Sequence, residues 1–318
     1  MTPFLRTSHT PLRLVPPRVA ALVATLLVGC GSPEPSPEAD NPRRAASAAV
    51  SVIDDAGRTV RLSRPARRVV SLVPSVTDVI LALDAGSSLV ARTRYDRAPE
   101  LSNLPSLGGG LDPGLEGLIA LDPDLLFAWN ARRDRGLGRL AGHGIALYRA
   151  DIQDTTDLYA TIDRVGTLIG RNAAADSLAE AVRDSLAAVA ADARGVPRPP
   201  VLYLIPGDPP RTAGSETFVA QAIAVAGGRS AFPELREGWP AVSLETILER
   251  SPEVVVLPRG PGLPDRASLA ERPGWSRLEA VREGRVVEVD ADLFARPGPG
   301  LPGAARDLQR SLRRATGR

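Results

Sequence analysis

The chain predicts an α/β protein of two lobes joined by one long helix. Three observations carry that prediction. Short apolar runs of strand length alternate with segments of helical periodicity, one αβ phrase occurs twice, and an Ala-, Leu-, Asp- and Arg-rich stretch at 173–194 lies between the two copies. The first copy is Leu115-Glu116-Gly117-Leu118-Ile119-Ala120-Leu121-Asp122-Pro123-Asp124, running into Leu125-Leu126-Phe127. The second is Leu244-Glu245-Thr246-Ile247-Leu248-Glu249-Arg250-Ser251-Pro252-Glu253, running into Val254-Val255-Val256. Each reads as a short helix with an early glutamate, then Pro and an acid, then a strand. The copies stand 129 positions apart, which suggests two similar lobes rather than an array of small units. Chance recurrence of a common αβ phrase is the alternative.

Taken in order, residues 1–29 read as a signal peptide. Arg6, Arg13 and Arg18 make a positive start, 19–28 is mostly apolar, and small residues precede Cys30, the only cysteine. The segment resembles the signal and lipobox of bacterial lipoproteins, in which the Cys is lipidated after cleavage. A core of ten residues is too short to span the ~30 Å of a bilayer core as a helix. The Pro-, Ser-, Glu- and Ala-rich stretch to position 47 reads as a tether. An N-terminal lobe is expected over 48–170, a connecting helix over 171–197 and a C-terminal lobe over 198–318. The mature chain has no second Cys, so stability rests on packing.

Within the first lobe, 49–53 and 59–62 flank an Asp54-Asp55-Ala56-Gly57 turn and predict a hairpin. Strands are expected at 68–73, 89–91, 125–129 and 144–148. Helices are expected at 77–83, in the first repeat copy, from the Arg-rich segment 132–139, and at 155–169. The glycines at 108–110 suit a tight turn; with no lysine anywhere, no phosphate-binding loop follows them. The strong helix formers of 173–194 predict a rigid connector. The second lobe offers strands at 201–205, 254–256 and 285–289. Its helices are expected at 216–226, 244–250, 275–281 and 304–314, with a loop over 290–300.

All 39 basic residues are Arg, and after the leader 36 basic groups face 37 acidic ones. Interspersed charge of that kind gives no argument for nucleic acid. His9 leaves with the signal, and His143 has no second His or Cys to join it in a metal site. The sequence carries neither a nucleophile elbow nor a Walker loop. An enzyme is not expected; an unrecognised hydrolase and a non-transport interaction lipoprotein stand as the competing classes.

Six segments then converge: Arg68-Val69-Val70-Ser71-Leu72-Val73-Pro74-Ser75-Val76-Thr77, Thr93-Arg94-Tyr95-Asp96, the first repeat copy, Gly214-Ser215, Gly238-Trp239-Pro240 and Phe294-Ala295-Arg296-Pro297. Together they resemble the periplasmic vitamin B12-binding proteins and their relatives, the substrate-binding components of ABC importers for cobalamin, haem and ferric siderophores. The resemblance spans roughly 49–315. It implies two Rossmann-like lobes on a helical backbone (class III), a monomer with its ligand in the cleft, and small opening motions. It also implies that a glutamate near the tip of each lobe engages arginines of a permease dimer that carries ATPase subunits, and Glu116 and Glu245 match those positions. Matching charges on a pseudo-symmetric body suit a dimeric receptor; favouring a helix N-terminus is their alternative role.

The expected cargo is cobalamin or a related corrinoid, with haem and ferric siderophores as alternatives, and no resident cofactor. Candidate contacts are Pro74, Ser75, Tyr95, Trp129, Arg211, Thr212, Trp239, Asp292, Phe294 and Arg296. Aromatic side chains cover a broad apolar ring face with little entropy loss, and Arg94, Arg211 and Arg296 are candidates for an anionic siderophore. Trp275 reads as structural. Arg211-Thr212-Ala213-Gly214 lacks the aromatic common in cobalamin binders, and Leu293 stands where they tend to carry Trp. The expected location is extracytoplasmic, in the periplasm or on the outer face of the cytoplasmic membrane, held through lipid on Cys30.

Overall fold

A computed structural model of the chain describes residues 49–110, 114–130, 136–236, 238–260, 262–294 and 296–317. The expected leader, Cys30, the tether and positions 132–135 of the Arg-rich segment lie outside them. The first strands, β1 (Val50–Ile53) and β2 (Thr59–Leu62), pair antiparallel. Their turn is locked by the Asp54 carboxylate, which accepts the Ala56 and Arg58 N–H groups at 3.0 and 2.7 Å. β3 (Val69–Ser71) leads into α1 (Pro74–Ala82). Pro74 sits in the first turn of α1, where a missing N–H costs nothing.

Segment 89–91 does not become a full strand. The Val90 N–H donates to the Val69 carbonyl at 3.0 Å, and the chain then turns away so that Arg92 brackets 105–107 instead. α2 (Leu115–Ala120) and β4 (Leu125–Trp129) form the first repeat copy, and a 3-10 turn over Leu137–His143 precedes β5 (Ala146–Ala150). α3 (Thr155–Ile169) starts at an Asp154/Asp157 capping box. α4 (Asn172–Asp192) buries Ala175, Ala179, Val182, Leu186 and Val189 along one stripe. α3 and α4 approach so closely that a Cβ at Gly166 would collide with that of Ala175.

The second lobe runs β6 (Pro200–Tyr203), α5 (Phe218–Val225), β7 (Arg229–Ser230), α6 (Leu244–Arg250), β8 (Val254–Arg259), α7 (Arg266–Glu271), α8 (Glu279–Arg282), β9 (Val286–Asp290), α9 (Ala291–Phe294) and α10 (Leu301–Thr316). Three features depart from expectation. The helix expected at 275–281 breaks at extended Leu278 into a 3-10 turn and α8. Asp265 caps the unforeseen α7 through the Ser268 N–H. The expected loop after 290 contains α9, because the Asp290 carboxylate accepts the Asp292 and Leu293 N–H groups at 2.8 and 3.4 Å.

Both main sheets are parallel, ordered β3-β4-β5 and β7-β6-β8-β9. The central strands β4 and β8 are almost wholly buried, as expected for parallel sheets covered on both faces. The repeat persists in three dimensions. Leu118 and Ile247 are fully buried at equivalent points of α2 and α6, and Asp122 and Ser251 both adopt a left-handed backbone at φ 45°. Val69 pairs with Leu125 in one lobe as Val201 pairs with Val254 in the other.

Residues Ala46–Arg318 form one compact unit containing all the buried clusters of the described residues. The largest cluster runs from β3 and α1 through α3, α4 and α5 to α10, so both lobes share it. The lobes are also joined by the backbone bond from the Phe218 N–H to the Gln153 carbonyl, 2.7 Å, and by Gln309 of α10 donating to the Val189 carbonyl of α4, 2.8 Å.

Candidate ligand-binding cleft

An open pocket of about 830 Å³ lies between the loop after the 89–91 bridge and the C-terminal ends of β8 and β9. The first lobe contributes Arg94, Tyr95 and Arg97; the second contributes Arg259, Leu263, Asp290 and Asp292. A crevice beyond the carboxyl ends of parallel strands is where open α/β sheets place ligands, and the volume is within the ~300–1,000 Å³ of small-molecule sites.

The 93–97 loop is held in shape from within. Buried Asp96 accepts the Thr93 N–H at 2.6 Å and the Thr93 hydroxyl at 2.8 Å. That turn leaves Tyr95 41% exposed, with the Arg94 guanidinium 5.4 Å from its ring centroid. Leu263 and Leu293, 41% and 51% exposed, supply apolar surface on the opposite lobe.

Charge crosses the cleft edge in a connected set. Arg97 pairs with Asp292 at 2.9 Å, and Arg296 reaches Asp292 at 3.3 Å, the Tyr95 carbonyl at 2.6 Å and Asp78 of α1 at 3.9 Å. Burial, with smaller contributions from Asp96 and Asp292, raises Asp78 from 3.8 to about 6 against the opposing pull of Arg296. The candidates Tyr95, Asp292 and Arg296 therefore come together.

A second group gathers around Trp239, which is half-buried. Arg211 donates to the Trp239 carbonyl at 2.8 Å, and the buried Thr212 N–H donates to the Pro240 carbonyl at 3.0 Å. The Trp239 ring lies 6.2 Å from both Tyr203 and Phe218, and Tyr203 stacks on Phe294 at 5.7 Å. Burial raises the Tyr203 phenol above its ordinary range.

The remaining candidates are less available to a ligand. Phe294 is only 1% exposed, so in this state it is core under the cleft rather than a contact surface. Pro74 and Ser75 are buried at the start of α1, near Gly298. Trp129 ends β4 half-buried, its carbonyl accepting from Arg149 at 3.3 Å. Trp275 is buried in the second lobe's own core.

Arg97, Arg259, Asp78 and Tyr203 line or support the cleft without being singled out by the sequence. Arg97 carried a legible signal, two residues beyond Tyr95 in the same loop, and Asp78 lies one helical turn past Pro74. Nothing in the sequence paired Arg259 with a loop 165 positions earlier. Among the described residues, no group of three or more His, Cys, Asp or Glu could hold a metal ion, and no helix is long and apolar enough to cross a membrane.

Glu116 and Glu245 are exposed in the first turns of α2 and α6, at matching points of the repeat. Gly114 gives α2 no side-chain cap, whereas Ser243 caps α6 through the Thr246 N–H at 3.1 Å. The Glu245 N–H and the Ser243 hydroxyl, with Arg277 nearby, hold the Glu245 carboxyl below its usual range.

The periplasmic binding protein family matches residues 69–293. The uncharacterized ABC transporter substrate-binding lipoprotein YvrC of Bacillus subtilis is 26% identical, over 92% of this chain and 94% of its own. The vitamin B12-binding protein of Photorhabdus laumondii is 29% identical, over 77% of this chain and 87% of its own. A periplasmic heme binding protein from Pseudomonas aeruginosa superposes with a TM-score of 0.69 at 27% identity, over 78% of this chain and 92% of its own. With two α/β lobes on long linking helices, the chain belongs to the periplasmic binding protein family, as a class III member of the extracytoplasmic solute-binding, non-enzymatic components of ABC importers.

Proposed function

We propose that this chain captures an anionic iron chelate, haem foremost, in the cleft between its lobes and delivers it to an ABC importer. The single observation that carries the reading is the exposed Tyr95, set in an 830 Å³ pocket with Arg94, Arg97 and Arg259 around it. A phenol oxygen is a hard ligand suited to ferric iron, and guanidinium groups suit carboxylates or catecholates. The haem-binding relative supports this choice, which displaces the corrinoid expected from the sequence.

The second reading is a corrinoid. It is favoured by the half-buried Trp239 ring and by the vitamin B12-binding relatives. Membrane attachment through lipid on Cys30 and permease docking through Glu116 and Glu245 complete the proposal, with lobes over 48–170 and 198–318 and the connector over 171–197.

The test is parallel equilibrium titration of residues 46–318 with haem, ferric siderophores and cyanocobalamin. Haem is expected to bind tightest, with a Soret band that Tyr95→Phe shifts. Tight cyanocobalamin binding without haem binding would establish the corrinoid reading instead.

A further inference from the structure

The Arg97–Asp292 pair crosses the cleft at its rim, and both side chains line the pocket. Arg97 is 58% exposed and Asp292 38%, so solvent, and anything dissolved in it, reaches the contact. Asp292 is shared: its other oxygen faces Arg296, which is itself satisfied by the Tyr95 carbonyl at 2.6 Å and faces Asp78 at 3.9 Å. Arg97 has no second carboxylate among the described residues. Arg94 and Arg259, in the same pocket, have none at all among the described residues. Asp292 thus occupies, from inside the protein, the position that an external anion would take.

We infer that Arg97 is the anion subsite of the cleft and that Asp292 is its built-in competitor, holding Arg97 until a carboxylate or catecholate of the cargo displaces it. This deepens the proposed anionic cargo and rests on it. The exchange is one carboxylate for another at the same guanidinium, while Arg296 keeps Asp292 from being stranded when Arg97 leaves it. A neutral cargo gains nothing at Arg97, so the guanidinium favours charged ligands and Asp292 sets how strongly they must bind to claim it.

The experiment compares wild-type residues 46–318 with Asp292→Asn and Arg97→Gln, each titrated with haem, haem dimethyl ester, a ferric tris-catecholate and cyanocobalamin. Thermal midpoints are recorded in parallel. Freeing Arg97 by Asp292→Asn is expected to tighten haem about two- to fivefold, the range of an exposed ion pair. Arg97→Gln should weaken it by a similar factor, with both effects fading at high salt. The dimethyl ester, lacking the propionate charges, should respond to neither substitution.

Weaker or unchanged haem binding in Asp292→Asn, with a lowered melting temperature, would mean the pair is only a clamp between lobes and would overturn the inference while leaving haem as cargo. Haem failing to bind while the ferric tris-catecholate binds and gains from Asp292→Asn would uphold the subsite and replace haem. Binding of cyanocobalamin alone would overturn both.

Discussion

Replacing Phe294 with alanine separates a ligand contact from a structural one at a position where sequence and structure point different ways. Phe294 is 1% exposed, stacks on Tyr203 at 5.7 Å and anchors α9, which carries Asp292. Removing a fully buried phenyl ring costs about 3–5 kcal/mol through lost transfer and the cavity left behind. At roughly 2–4 °C per kcal/mol for a domain of about this size, the melting midpoint should fall by about 6–20 °C. Phe294→Leu keeps most of the volume and should cost under half as much. Both variants are compared by thermal unfolding without ligand and by haem titration at a temperature where the variant is fully folded. Cargo affinity should change little there, since the ring offers almost no surface to the pocket. A midpoint within about 2 °C of wild type, together with a tenfold or larger loss of affinity, would refute the burial argument and return Phe294 to the ligand.

Two further predictions address docking and pH. Reversing both Glu116 and Glu245 to Arg should abolish stimulation of the transporter ATPase while leaving cargo affinity unaltered, because both side chains are exposed and far outside the core; persistent stimulation would remove the docking role. Native Asp78 keeps its proton up to about pH 6, whereas an unfolded Asp releases it near 3.8. The stability that its neutral form contributes is therefore complete below 3.8 and is lost as pH rises through about 6. Because the side chain is 40% exposed, solvent screening reduces this to roughly 1 kcal/mol or less. Urea unfolding at about pH 5 and about pH 7.5 should show Asp78→Asn with the flatter profile, and parallel profiles for the two proteins would count against it.

Most of the architecture was legible because it is written in local terms. The hairpin, the boundaries of α3, and the repeat with its buried Leu118 and Ile247 follow from periodicity, capping residues and turn chemistry. What escaped was decided by the fold. Segment 89–91 is apolar enough for a strand, yet Arg92 is captured by the 105–107 segment, so only one bridge forms. α9 exists because Asp290 folds back onto two backbone N–H groups, a bond no periodicity announces.

The site was legible only in part, for a related reason. Tyr95, Asp292 and Arg296 could be singled out by residue type and family resemblance, but their partnership depends on a lobe boundary being closed in space. Arg97 and Asp292 are 195 positions apart, and Phe294 shares α9 with the exposed Leu293 while itself lying buried. Burial, the property that distinguishes Phe294 from Leu293, cannot be read from two adjacent apolar letters.

The apolar cluster shared by both lobes has a thermodynamic consequence. Val69, Val73 and Phe127 from one side and Val201, Tyr203 and Val254 from the other belong to the same continuous interior, with the stripe of α4 through its middle. Neither half can melt without opening the interior of its neighbour. The protein should therefore show a single calorimetric transition whose van't Hoff and calorimetric enthalpies agree. A half-molecule cut within 193–199 should be insoluble or molten rather than a working lobe, because its exposed face would be the other half's core. Such a body transmits the arrival of a ligand by fractional adjustments of one solid, with the loops at its rim left to do the discriminating.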